Sequence, residues 1–99
     1  MATLSDMKIK EATAGTTAIT TDNVPGIIYY AIFTGATVGD KLEVLNGATN
    51  VLTLITSIAN EPVEYKPPKG EEARFTTDID ATITKTGDAF ATFHYREIT

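Results

Sequence analysis

The chain has no cysteine and no tryptophan, and in 99 residues it has one histidine, two serines and four prolines. Without cysteine there is no disulfide framework, no thiolate nucleophile and no cysteine-type zinc site. A single histidine, His94, cannot build a multi-histidine metal centre. Ser5 and Ser57 are the only serines that a Ser-His-Asp arrangement could use, and neither stands in a nucleophile-elbow context. Gly35 and Gly39 are not followed by the Gly-Lys-Thr of a phosphate-cradling loop. Cationic side chains are also scarce: 8 Lys and Arg stand against 13 Asp and Glu, a net charge of -5. That balance argues against non-specific binding to nucleic acid or to an anionic membrane, since both need a basic patch. The longest apolar run, residues 27–33, is far too short to span a bilayer. Residues 1–8 lack the basic start and apolar core of a secretory signal. On these grounds no enzyme chemistry, metal or cofactor is expected.

What the chain does have is threonine, 18 of 99 residues, together with Ile, Val, Tyr and Phe, the types that fit a pleated, half-buried surface. Its length suits one domain with one modest core. Strand signals recur about every ten residues with turn residues between them, and no stretch shows a capped helical period. The expectation is an all-β fold, an antiparallel β-sandwich or jelly-roll-like barrel of seven to eight short strands. Residues 1–23 read as an N-terminal arm or edge strand and 24–99 as the sandwich, a single domain in all.

The organising stretch is 39–56. Asn46-Gly47 separates two apolar-rich runs, a strong hairpin signal. In the first run Leu42 and Val44 alternate with Lys41 and Glu43, as in a strand with one wet face. The second, residues 51–55, is apolar on both faces apart from Thr53, and is expected to be the more buried partner. Residues 27–34 are β-branched and aromatic on both faces and predict a central strand. Ile79, Ala81 and Ile83 alternate with Asp80, Thr82 and Thr84. Thr86-Gly87-Asp88 reads as a second hairpin turn into a last strand, 89–97, that closes the sheet. On that strand Phe93 and Tyr95 share one face, and Phe90, Thr92, His94 and Arg96 the other.

Two carboxylate pairs invite a chemical reading. Asp78-x-Asp80 resembles half of a calcium loop, but the Gly and the distal Glu of the common form are missing. A solvent-facing strand has the same pattern. Glu71-Glu72 follows Pro67-Pro68-Lys69-Gly70 and reads as an exposed loop, whereas acid-base carboxylates need a partly dry cleft. If one face of the last strand covers the core, the other is left over. Its set of Phe90, Thr92, His94 and Arg96 is the candidate protein interface, and a sugar platform is the competing use of the same side chains.

The order of segments carries a resemblance. Gly-Ile-Ile-Tyr-Tyr-Ala (26–31) leads to Gly-Asp-Lys-Leu-Glu-Val (39–44), then Leu-Thr-Leu (52–54) and Val-Glu-Tyr-Lys-Pro-Pro-Lys-Gly (63–70). Phe-Thr-Thr-Asp-Ile-Asp-Ala-Thr-Ile-Thr-Lys-Thr-Gly (75–87) and an aromatic last strand follow. Over residues 24–97 this resembles small virion-structure proteins of tailed bacteriophages. The resemblance implies a non-enzymatic capsid decoration (cement) protein, or an accessory protein of the neck or tail. Its partners would be the major capsid protein or other virion proteins, and further copies of itself in a homo-oligomer such as a trimer. It would reside in the virion and, during assembly, in the host cytoplasm. The alternative is a carbohydrate- or receptor-binding sandwich displayed on a virion or cell surface.

Overall fold

The computed structural model describes residues 3–99, so the first two residues of the expected arm lie outside the described part. Those 97 residues form nine strands: β1 (Lys8–Ala12), β2 (Gly15–Ala18), β3 (Gly26–Gly35), β4 (Lys41–Asn46), β5 (Thr49–Ile55), β6 (Val63–Tyr65), β7 (Ala73–Phe75), β8 (Asp80–Thr84) and β9 (Ala89–Glu97). No helix occurs among the described residues. All pairings are antiparallel and build two sheets. One has the order β1-β9-β3-β6, with β7 also on β3, and the other the order β2-β8-β4-β5.

The sheets face each other across one apolar core, giving a sandwich-like architecture. Alternation decides which residues enter it, because successive side chains of a strand point to opposite faces. Leu42 and Val44 enter from β4, Ala81 and Ile83 from β8, and Ala91, Phe93 and Tyr95 from β9. On β3 a bulge between Ile28 and Tyr30 inserts one residue, so Ile28, Ala31 and Phe33 all point inward although their spacing is not strictly two. The expectation that this strand is central holds: β9 pairs with one of its edges, and β6 and β7 with the other.

The hairpin at Asn46-Gly47 also forms, as a two-residue loop of Gly47 and Ala48 between Asn46 and Thr49. Gly47 takes φ +61° at the first central position, as a type II′ turn requires.

Four local expectations are corrected. β5 is not the buried partner but an edge strand: Leu54 is buried, whereas Val51 and Ile55 are 46% and 53% exposed. Thr86-Gly87-Asp88 does not close a hairpin, since β8 and β9 lie in different sheets and the turn carries the chain from one to the other. The small polar residues 14–17 read as a loop and 18–21 as the start of a short strand, but the strand is β2, residues 15–18, held by pairing with β8. Short β6 and β7 each add to β3, so the strands number nine and not seven to eight.

Residues 8–12 and 15–18 supply one strand to each sheet, and β1 pairs with β9 of the same chain from Lys8 opposite Tyr95 to Ala12 opposite Ala91. Lys8 Nζ donates to Glu97 Oε1 at 2.7 Å, and the Thr21 N–H donates to Glu97 Oε2 at 2.8 Å.

Two buried carboxylates fasten the connections at opposite ends of β4. Before its first residue, Asp40 accepts from the Thr86 and Thr37 N–H groups, at 2.9 and 3.3 Å. Beyond its last, Asp78 accepts from the Gly47 N–H at 3.1 Å and the Asn23 N–H at 3.2 Å.

Candidate interaction face

The outward side of the five-stranded sheet is built by register. His94 on β9 stands opposite Ile9 on β1 and Tyr30 on β3. The next row places Glu11, Thr92, Ile32 and Glu64 in line across four strands. At the end of the sheet Phe90 lies opposite Thr34. Thus Phe90, Thr92, His94 and Arg96 do share one outward face, while Phe93 and Tyr95 fill the core. Alternation alone placed these four side chains. Ile9, Tyr30, Ile32 and Glu64 join them through pairing between distant strands and the bulge at Tyr29, which no local pattern specifies.

The four differ in what they do. Phe90 is 44% exposed and borders a shallow depression lined by Thr34, Ala36, Asn60, Asp88 and Ala89. The His94 ring meets Tyr30 edge-to-face, with centroids 5.4 Å apart and planes at 89°. The Tyr30 hydroxyl in turn donates to Glu64 Oε2 at 3.0 Å. Burial raises the Tyr30 hydroxyl pKa, and the Glu64 hydrogen bond adds to that. Thr92 is half-buried between Glu11 and Ile32. Arg96 lies over the Tyr29 ring, 5.6 Å from its centroid, and its buried Nε has no hydrogen-bond partner among the described residues. Ile9, at 62% exposed, and Phe90 are the most open apolar side chains of the face.

The carboxylate pair is not arranged as a calcium half-loop. Asp78 precedes β8 and is buried, each of its oxygens taken by a backbone N–H. Asp80 sits on β8, facing away from the core. Its pKa is raised first by burial, then by the neighbouring charges of Asp78 and Asp22. Among the described residues no group of three or more His, Cys, Asp or Glu side chains is placed to hold a metal ion. Glu71 is exposed as expected. Glu72 is half-buried, its carboxylate taken by the Gly70 N–H at 2.7 and 3.1 Å.

No helix among the described residues is long and apolar enough to cross a membrane. Comparison with known families, curated proteins and solved structures finds no match for this chain.

Proposed function

We propose that this protein is a non-enzymatic structural component of a tailed-phage particle. In this reading it is a capsid decoration protein that binds the head lattice through the outward face of its five-stranded sheet. The observation that carries the proposal is the face itself. Ile9, Tyr30, Ile32, Phe90 and His94 lie side by side on a regular sheet surface, with Glu11 and Glu64 at its margins. Aromatic and aliphatic side chains on a firm surface, rimmed by charge, suit a protein contact.

The strand order supports the same reading. With β6 and β7 counted as one interrupted strand, the chain has eight strands. The sheets then run first-eighth-third-sixth and second-seventh-fourth-fifth. Counted in this way, the order fits a jelly roll, two nested Greek keys, an architecture shared by viral capsid domains and lectins. In the proposed mechanism many copies cover joints between capsid subunits, each adding a modest buried area. An interface of ~1,500 Å² in total would have the size of an ordinary specific complex.

The experiment is to assemble heads with and without the protein and heat them. The proposal expects complete heads in both cases, with the undecorated heads rupturing at lower temperature. Equal rupture temperatures would contradict it.

The depression beside Phe90 favours one second reading, a carbohydrate-binding module. Phe90 could stack on a sugar ring there, with Asp88 and Asn60 taking its hydroxyls. A glycan array separates the two: a specific hit abolished by Phe90→Ala and Asp88→Ala supports the sugar reading, and a blank array removes it.

A further inference from the structure

The mismatch at β5 points to a missing neighbour. Residues 44–60 hold no charged side chain, one of two such 17-residue runs in a chain with 21% charged residues. The other, 23–39, contains the central strand β3, where both edges are paired. β5 has the composition of a strand paired on both edges, yet among the described residues only β4 pairs with it.

The remaining edges of the two sheets are guarded. β1 carries Lys8, Lys10 and Glu11, β2 has four residues, and β6 and β7 have three each, with prolines at 62, 67 and 68 beside β6. Charge, brevity and proline are the usual means of keeping an edge from pairing. β5 has none of these along its seven residues, and its one irregularity, the bulge beside Val51, leaves residues 52–55 in regular register with β4. Three of the eight exposed large apolar side chains among the described residues, Val51, Ile55 and Ile58, come from the same run.

We propose that the free edge of β5 is an interface for a second copy of this chain, pairing β5 with β5 antiparallel about a two-fold axis. Such a contact is isologous, so every residue must tolerate its own strand as partner. Centred on Thr53, the pairing stays within the regular residues 52–55 and sets Leu52 against Leu54 and Thr53 against its own copy. These are apolar and threonine pairs without like charges, of the kind that stabilise a sheet. The two four-stranded sheets become one sheet of eight strands, and the edge main-chain groups exchange water for each other. The contact lies in the other sheet from the proposed capsid-facing surface, so either proposal can fail without the other.

The test is sedimentation equilibrium of the full chain over a wide concentration range, wild type against Val51→Lys/Ile55→Lys, with melting curves to check folding. Both replaced side chains are about half exposed, so the variant is expected to fold. The expected result is a wild type moving from 10.6 kDa to twice that mass, with the dissociation constant raised at least tenfold in the variant. Amide exchange in residues 49–55 should slow as concentration rises in the wild type only. Wild type that stays monomeric to about millimolar concentration, forms a trimer, or dimerises as well in the variant overturns the proposal. If the double variant does not fold, Thr53→Lys gives the same comparison.

Discussion

Asp78 holds Gly47 across 31 residues of sequence: its Oδ1 accepts the Gly47 N–H at 3.1 Å while its Oδ2 accepts the Asn23 N–H at 3.2 Å. One buried carboxylate thereby ties the β4–β5 turn to the connection between β2 and β3. Asp78→Ala leaves two donors without that partner, at about 1.5–3 kcal/mol for a hydrogen bond to a charged group. The expected loss is about 2–4 kcal/mol in a urea titration, with Asp78→Asn losing less. A wild-type midpoint for Asp78→Ala would show that water replaces the carboxylate without cost.

Gly35 meets a different constraint. A Cβ built there would lie 2.5 Å from Thr56 Oγ1 and 2.8 Å from Asp40 Cβ, inside the other clamp. Gly35→Ala is expected to cost about 1–3 kcal/mol through overpacking. The comparison is Gly39→Ala, where nothing stands within 4 Å of the new Cβ and the cost comes from a φ of +96° alone. If Gly35→Ala melts with the wild type, the packing around Asp40 is looser than these distances imply.

The ends of the chain predict an acid response. The Lys8 hydrogen bond, and then the Thr21 N–H, hold the Glu97 carboxyl below its ordinary 4.5. The folded state therefore takes up this proton less readily than the unfolded one. The contribution is fully present above about pH 4.5 and is lost as pH falls through the lowered value. Glu97→Gln should be less stable than wild type at neutral pH, and the gap should narrow on acidification. Asp80 has the opposite sign: its raised pKa means that its charge opposes folding at neutral pH. Asp80→Asn should raise the melting temperature at pH 7 and leave it little changed at pH 3. Parallel pH curves for wild type and either variant would refute that assignment.

Core and face separate in a fourth comparison. Leu54 is 7% exposed and joins the central cluster, so Leu54→Asp buries an unpaired charge and should cost about 4 kcal/mol or more. Phe90→Ala, at a 44% exposed position, should change stability by no more than about 1 kcal/mol. A collapse of the Phe90→Ala melting temperature would mean that Phe90 belongs to the core.

The faces of β4, β8 and β9 were legible because alternation is local: each residue's neighbours along the strand say which way it points. The central place of β3 was legible from its length and its apolar residues on both faces. What could not be read was pairing at a distance. The composition of β5 is that of a strand with two neighbours, and nothing within it says that one is absent from its own chain. Thr86-Gly87-Asp88 has hairpin chemistry but connects two sheets, because turn residues specify a reversal and not a partner. Asp78 read as a surface carboxylate because its two hydrogen-bond donors come from loops 55 and 31 residues away. The candidate face was half visible: β9 supplied Phe90, Thr92, His94 and Arg96, while Ile9 and Tyr30 joined them only through register.

We propose that this face serves contact with a capsid and is not needed for the fold. The direct measurement is co-sedimentation with undecorated tailed-phage heads, wild type against Phe90→Ala/His94→Ala, with both proteins shown to melt alike. Saturable binding of the wild type is expected, with at least a tenfold loss of affinity in the variant. Wild type left in the supernatant, or a variant that binds equally well, would contradict it.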